Sequence, residues 1–388
     1  MICSIFSCFS LLLILFSCDN KNNQLDNINP EDQISDFYLG VDLSYVNEIE
    51  NCSSGFFSEG TKVDPFQFFN KEGADIVRVR LWHNPALVAP TFSPFSGILD
   101  VEKTIRRAKN NGMKVLLDIH YSDTWADPAK QWIPNAWKDL EDIEILKDSV
   151  YNYTFKTLMR LNNKNLMPEI VQIGNEINSQ MLMPFGSQGA KIEWNRNKEI
   201  LLNGIQAVRD ASFLLDKKIE VMLHIAQPEN AFWFFDQAIE NSITDFDWIG
   251  VSYYPKWSDV EFKDITYNIS QLKTRFQKKI MIVETAYPFT LKNFDNQGNI
   301  LNEDALVEGF PATPQGQKEF MIALTQAVMD GGGKGVVYWE PAWIANSCQT
   351  LFGTGSSWEN ASFFNAENQN EALPVFDFLD KKNYILKN

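Results

Sequence analysis

Eight short runs of β-branched and apolar residues recur between residues 38 and 340, each stopping at polar side chains before a stretch of helical spacing. They are Tyr38–Asp42, Ile76–Arg80, Lys114–His120, Ile170–Glu176, Ile219–His224, Trp248–Tyr253, Ile280–Glu284 and Gly335–Glu340. Between them, Val101, Ile105 and Ala108 fall on one helical face before Gly112, and Leu146, Val150, Tyr153 and Leu161 on another. Strands this uniformly apolar are buried on both faces, and strand–helix units in series predict a (β/α)8 TIM barrel, an α/β fold. A doubly wound open sheet is the alternative, but no G-x-G-x-x-G turn follows the first run. No Pro/Ser linker or composition shift divides residues 36–388, which predicts a single catalytic-size domain.

The longest connections follow the third, fourth, seventh and eighth runs, at the barrel face where active sites are built. Asp42, Arg80, His120, Asn175, Glu176, His224, Tyr253, Glu284 and Glu340 end their runs and converge on that mouth. Any one of them alone reads as a solvated or structural group. Together they offer carboxylates facing across a mouth, and a separation of about 5–5.5 Å suits double displacement at a sugar carbon with retention. Spacing alone lets Glu176, Glu284 and Glu340 compete for the two roles. The first and eighth strands of a closed barrel are neighbours, so the loops carrying Cys52 and Cys348 are expected to meet in a disulfide.

Composition narrows the partners. A net charge of −16 repels phosphate backbones, so nucleic acid is not expected as a partner. The 29 Phe, 11 Trp and 11 Tyr supply faces that pack cores and also stack on sugar rings. Ile2 to Ser17 carries no charge and is shorter than a membrane span, which reads as an export signal over residues 1–17. Leu15-Phe16-Ser17-Cys18 resembles the bacterial lipobox. Cys18 is thus the expected lipidation site and residues 18–35, rich in Asn, Asp and Gln, a flexible tether. These features place the protein outside the cytoplasm, anchored in outer-membrane lipid or at the cell surface. Cys52 and Cys348 are then the remaining cysteines, and with three scattered histidines they give no zinc pattern.

Longer motifs add a resemblance. Leu117-Asp118-Ile119-His120-Tyr121-Ser122-Asp123-Thr124-Trp125-Ala126-Asp127-Pro128, Gly40-Val41-Asp42-Leu43-Ser44, Val79-Arg80-Leu81-Trp82, Val251-Ser252-Tyr253-Tyr254-Pro255 and Tyr338-Trp339-Glu340-Pro341 stand beside Gly174-Asn175-Glu176 and Ile282-Val283-Glu284. From about Leu39 to Asp377 the chain resembles glycoside hydrolase family 53, the endo-β-1,4-galactanases. The resemblance implies Glu176 as general acid/base, Glu284 as nucleophile, and Glu340 as a binding or structural carboxylate. It implies β-1,4-galactan, a pectin side chain, as substrate; mannan or cellulose cleavage and glycan binding without turnover are the alternatives. Asn175 is expected at the sugar 2-OH, and Asp42 also on the substrate side. Arg80, His120, His224 and Tyr253 are expected around the pair, keeping the nucleophile ionised and aimed. Of Trp82, Trp125, Trp257, Trp339 and Trp343, the preferred sugar platforms are Trp125 and Trp339; Asp123 and Asp127 either bind hydroxyls or cap their loop. No cofactor is required and a monomer is expected. Some bacterial relatives carry a structural calcium between the seventh and eighth loops, which makes Asp295 a candidate ligand, although Asp295-Asn296-Gln297-Gly298-Asn299 also reads as an ordinary turn.

Overall fold

The computed structural model describes residues 36–87, 95–140, 142–350 and 352–385. The expected export signal, Cys18 and the expected tether lie outside them. Eight parallel strands close a barrel: β1 (Tyr38–Asp42), β2 (Ile76–Leu81), β3 (Lys114–Ile119), β4 (Ile170–Ile173), β5 (Glu220–Ala226), β6 (Trp248–Ser252), β7 (Lys279–Glu284) and β8 (Gly335–Tyr338). β1 pairs with both β2 and β8, so the doubly wound alternative is excluded. The crossovers carry α1 (Pro65–Lys71), α2 (Ile98–Asn110), α3 (Ile143–Asn162), α4 (Trp194–Leu215), α5 (Pro228–Glu240), α6 (Ile265–Phe276) and α7 (Pro314–Asp330). Local chemistry starts several of them: Asp64 caps α1 ahead of Pro65, Asp142 caps α3, and Thr313 caps α7 ahead of Pro314.

The eighth unit departs from the expected repeat. After β8 the chain spends residues 341–373 on a long loop, and the 3-10 segment Pro374–Leu379 packs on α7 where an eighth helix would lie. Phe376 there joins Phe68, Phe69, Phe363 and Phe364 in an edge-to-face cluster, so much of the Phe excess is core packing. Cys52 and Cys348 are disulfide-bonded with Cα atoms 5.3 Å apart, tying the loop after β1 to the loop after β8.

Period-two alternation sorts the barrel interior into layers. Ile76, Leu116, Ile170, Met222, Trp248, Met281 and Val337 form an apolar plug. Two residues further along their strands stand Arg78, Asp118, Gln172 and His224, level with Asp42, all buried. Gly250 belongs to this tier because a Cβ there would sit 2.8 Å from Met222 Sδ. A polar floor thus rests on an apolar plug, directly beneath the mouth.

Candidate active site

Arg78 organises that floor. Its Nη1 reaches Asp42 Oδ2 at 3.0 Å and Glu284 Oε1 at 2.8 Å; its Nη2 reaches Asp118 Oδ2 at 2.8 Å and Asn175 Oδ1 at 2.7 Å. A buried guanidinium needs anionic partners, and only its planar fork can serve so many at once. Three carboxylates around it keep Arg78 charged against the penalty of burial. Glu284 ends β7 with Oε1 on Arg78 and with Oε2 accepting from Tyr254 Oη at 3.2 Å.

Glu176 arrives differently. β4 stops at Ile173, and Gly174 at φ +78° and Glu176 at φ +45° both take left-handed backbone. A side chain on Gly174 would strike Ile177 Cγ2 at 2.5 Å, so only glycine fits the turn. For Glu176 that conformation costs about 1–3 kcal/mol, a strain that concentrates at functional positions. Its Oε1 lies 2.6 Å from Ser252 Oγ. Asn175 is locked beside it, donating through Nδ2 to Ala126 O at 2.8 Å while Oδ1 faces Arg78 and His224.

Both glutamates line one cleft of about 530 Å³, with Asn175, Asp127, Tyr254 and the indoles of Trp125, Trp257, Trp339 and Trp358. Burial pushes the Glu176 carboxyl above the ordinary range, and the charge of Glu284 across the cleft pushes it further. Burial raises Glu284 as well, while Arg78 and the Tyr254 hydroxyl oppose the rise. Among the described residues Glu284 has a cation at hydrogen-bond distance and Glu176 has none, so the surroundings favour the proton on Glu176 and the charge on Glu284. Two carboxyl groups in unlike electrostatic surroundings thus face one aromatic-walled groove. Cavities elsewhere, about 460 Å³ at the opposite barrel end and about 810 Å³ beside α1, contain neither glutamate.

The model of glycosyl hydrolase family 53 matches residues 38–379. The chain belongs to that family. It is 52% identical over 343 residues to the arabinogalactan endo-β-1,4-galactanase of Cellvibrio japonicus, covering 88% of this chain and 90% of that one. The endo-β-1,4-galactanase of Bacillus subtilis is 34% identical, covering 80% of this chain and 71% of its own. The solved family 53 catalytic domain of Ignisphaera aggregans superposes with a TM-score of 0.80 at 30% identity, over 90% of this chain and 97% of that one. The protein is a glycoside hydrolase with the family's barrel.

Within this family 53 enzyme several expected positions move. Arg80 does not touch the nucleophile: it pairs with Glu340 at 3.1 Å, and its guanidinium carbon lies 4.1 Å from the Trp125 ring centre and 4.6 Å from that of Tyr45. Arg78, two residues earlier on the same inward face, holds Glu284 instead. Asp42 sits below the cleft, engaged by Arg78 and Ser44, and is closed to substrate. Asp123 accepts from Asn84 N at 2.9 Å and Asn135 N at 2.8 Å, so it fastens loops and does not bind sugar, whereas Asp127 does line the cleft. Tyr253 points outward into the core because Ser252 and Tyr254 take the inward positions. His120 bridges Asp118 and the Ala126 N–H, and His224 bridges Asn175 and Ser252, so each reaches the two glutamates only through a neighbour. Trp125 and Trp339 line the cleft with Trp257, while Trp82 and Trp343 are packed away.

Sequence reasoning missed Arg78, Asp118, Gln172, Ser252, Tyr254 and Trp358. The first three carried a signal, a charged or amide residue in the middle of a buried apolar strand.

Glu340 is fully buried, accepting from Arg80 and from Tyr45 N at 3.2 Å. Glu340→Ala strands the Arg80 charge and is expected to cost about 3–5 kcal/mol of unfolding free energy in a urea titration. A loss under 1 kcal/mol would show the pair to be unimportant to the fold.

Both oxygens of Asp295, the candidate calcium ligand, already accept from backbone N–H groups. Asp295 Oδ1 accepts from Gln297 N at 2.8 Å, and Oδ2 from Asn346 N at 3.2 Å and Ser356 N at 2.7 Å. These N–H groups let the carboxylate bridge the two loops by itself, with the Glu359 carboxyl beside it and its Oε2 buried without a hydrogen-bond partner. Among the described residues no group of three His, Cys, Asp or Glu side chains could hold a metal ion. EDTA is expected to leave the melting temperature unchanged; a fall on chelation would reveal an ion.

Proposed function

We propose that this enzyme cleaves β-1,4-galactan within the chain, with retention of anomeric configuration. The observation that carries the assignment of roles is the asymmetry of the pair: Glu284 is ion-paired with Arg78 at 2.8 Å, whereas Glu176 meets the neutral hydroxyl of Ser252. In the first step a Glu284 oxygen attacks the anomeric carbon while the Glu176 proton passes to the departing glycosidic oxygen. Glu284, now an ester, no longer carries charge, so the Glu176 carboxylate is free to take a proton from the water that displaces the sugar. That water restores Glu284 and reprotonates Glu176. The indole walls cover the C–H faces of bound rings, and the remaining N–H of Asn175 faces the 2-OH.

The galactan assignment is supported by the galactanase relatives in C. japonicus and B. subtilis. Digestion of purified galactan, mannan and cellulose side by side tests it, with oligosaccharides of mixed length expected from galactan alone. Activity confined to mannan or cellulose would overturn it, and binding without any products would favour a non-catalytic role.

Export and lipid attachment at Cys18 belong to the same proposal, as do a monomeric state and a position at the outer membrane or cell surface. Asp36 lies at the barrel end opposite the cleft, so a tether joined there leaves the mouth free. Labelling with radioactive palmitate is expected to mark the protein, and an unlabelled protein would remove the anchor.

A further inference from the structure

Ser252 closes β6 on the inward face, opposite Glu284, where the pairing with β7 skips Val283. Its Oγ lies 2.6 Å from Glu176 Oε1 and 2.9 Å from His224 Nε2. A hydroxyl has one hydrogen for these two neighbours. Which neighbour receives it decides whether Ser252 favours the protonated or the ionised acid.

Asn175 fixes the answer. Arg78 Nη2 can only donate, and it stands 2.7 Å from Asn175 Oδ1, while Asn175 Nδ2 donates to Ala126 O. The amide oxygen therefore faces His224, whose Nδ1 is 2.8 Å away and must carry the hydrogen of that contact. Gln172 Nε2 is 3.1 Å from the same Nδ1, but its two hydrogens have three other acceptors as near or nearer, Asp118 Oδ1 at 2.5 Å, Gly174 O at 3.0 Å and Asn175 Oδ1 at 3.1 Å. Burial, with the charges of Arg78 and His120 facing the ring, holds the His224 pKa well below its ordinary value. A neutral imidazole with hydrogen on Nδ1 presents a bare lone pair at Nε2.

We propose that Ser252 is a positioning residue for the acid step: it donates its hydrogen to His224 Nε2, and its oxygen accepts the proton carried by Glu176 Oε1. The inference deepens the proposed reaction and rests on Glu176 being its acid/base. Substrate binding turns the Glu176 O–H from Ser252 to the glycosidic oxygen, and once that proton has passed to the departing sugar the Ser252 hydroxyl turns and donates to the new carboxylate, giving up its bond to His224. No proton crosses Ser252 or His224; at Ser252 only the direction of the O–H changes. The water that later reprotonates Glu176 sends the hydroxyl back.

Glu176 is also faced by Glu284 from β7, Asp127 from the loop after β3, Arg78 from β2 and Tyr254 just past β6. Ser252→Ala leaves all four in place, so it isolates the hydroxyl. If Ser252 accepts from protonated Glu176, removing it lowers the proton affinity of Glu176; if it donates to the carboxylate, removal raises it.

The decisive experiment uses the substrate-free enzyme. The Glu176 carboxyl is titrated by NMR in protein labelled with 13C-glutamate, assigned with Glu176→Gln. In Ser252→Ala the proton affinity is expected to fall about three- to tenfold, the worth of one hydrogen bond, and in Ser252→Thr, which keeps the hydroxyl, to stay at the parent value. A rise or no change in the alanine variant would overturn the proposal. Should that variant not fold, 15N-histidine spectra of the parent protein decide: a protonated Nδ1 and a bare Nε2 at His224 are expected, and the opposite tautomer would sink it. Neither readout needs turnover, so a protein inactive on galactan would count against the proposed function without deciding this point.

Discussion

Glu284→Ala is expected to lose turnover on galactan by on the order of 10⁴-fold or more while still binding the oligosaccharide. On the proposed assignment the substitution removes the atom that forms the covalent bond, and Asp127, the other carboxylate of the cleft wall besides Glu176, is held by Ala129 N and Lys130. Glu176 reaches Ser252 and, among the described residues, has no cation at hydrogen-bond distance. Glu340 is sealed beneath the cleft on Arg80. The scaffold should survive, because Arg78 keeps Asp42 and Asp118 as partners when Glu284 is gone. Reducing-end assays measure the turnover and calorimetry the binding. A variant as active as the parent would refute the nucleophile assignment.

Arg78→Met should damage both stability and chemistry. Removing the guanidinium leaves the buried carboxylates of Asp42, Asp118 and Glu284 without their shared cation. Breaking a buried ion pair from one side costs about 3–5 kcal/mol, and three partners place this variant at the upper end. The pH dependence has a definite sign. Without Arg78, burial makes the Glu284 carboxylate bind its proton more tightly in the folded chain than in the unfolded one. The deficit is therefore greatest at neutral and higher pH, and it shrinks as pH falls toward the ordinary carboxylate range of about 4. For catalysis, Arg78 lowers the proton affinity of Glu284, so its loss raises the acidic limb of kcat/KM to higher pH. Arg78→Lys keeps a charge but cannot span four partners, and it should fall between the two. Urea unfolding and pH–rate profiles read both effects; an acidic limb that stays in place would show that Arg78 does not tune Glu284.

The barrel was legible in the sequence because its strands are buried on both faces and so stand out as unbroken apolar runs with abrupt polar ends. The same rule misjudged the last unit, where a helix was expected after β8. Phe363, Phe364 and Phe376 mark that stretch only as apolar, and whether such residues wind into a helix or pack as loop and 3-10 turn depends on the space left on the barrel. The strand-end rule found Glu284, Asn175 and Glu176, since the chemistry sits where the strands open. It failed for Arg80 and Tyr253 because it ignored which way alternate residues point. Arg78 and Arg80 share the inward face, yet Arg78 lies one layer deeper, under Glu284, and Tyr253 is turned outward between two inward neighbours. Trp358 belongs to a long loop whose path no local pattern specifies, so its place in the cleft wall emerged only with the fold.

Proton NMR of the first product released from a galacto-oligosaccharide, recorded before mutarotation, tests most directly whether Glu176 and Glu284 act as a double-displacement pair. A β-anomer appearing first and equilibrating later is the expected result. An α-anomer appearing first would mean a single displacement by water, and would contradict the assignment of Glu284 as the attacking group.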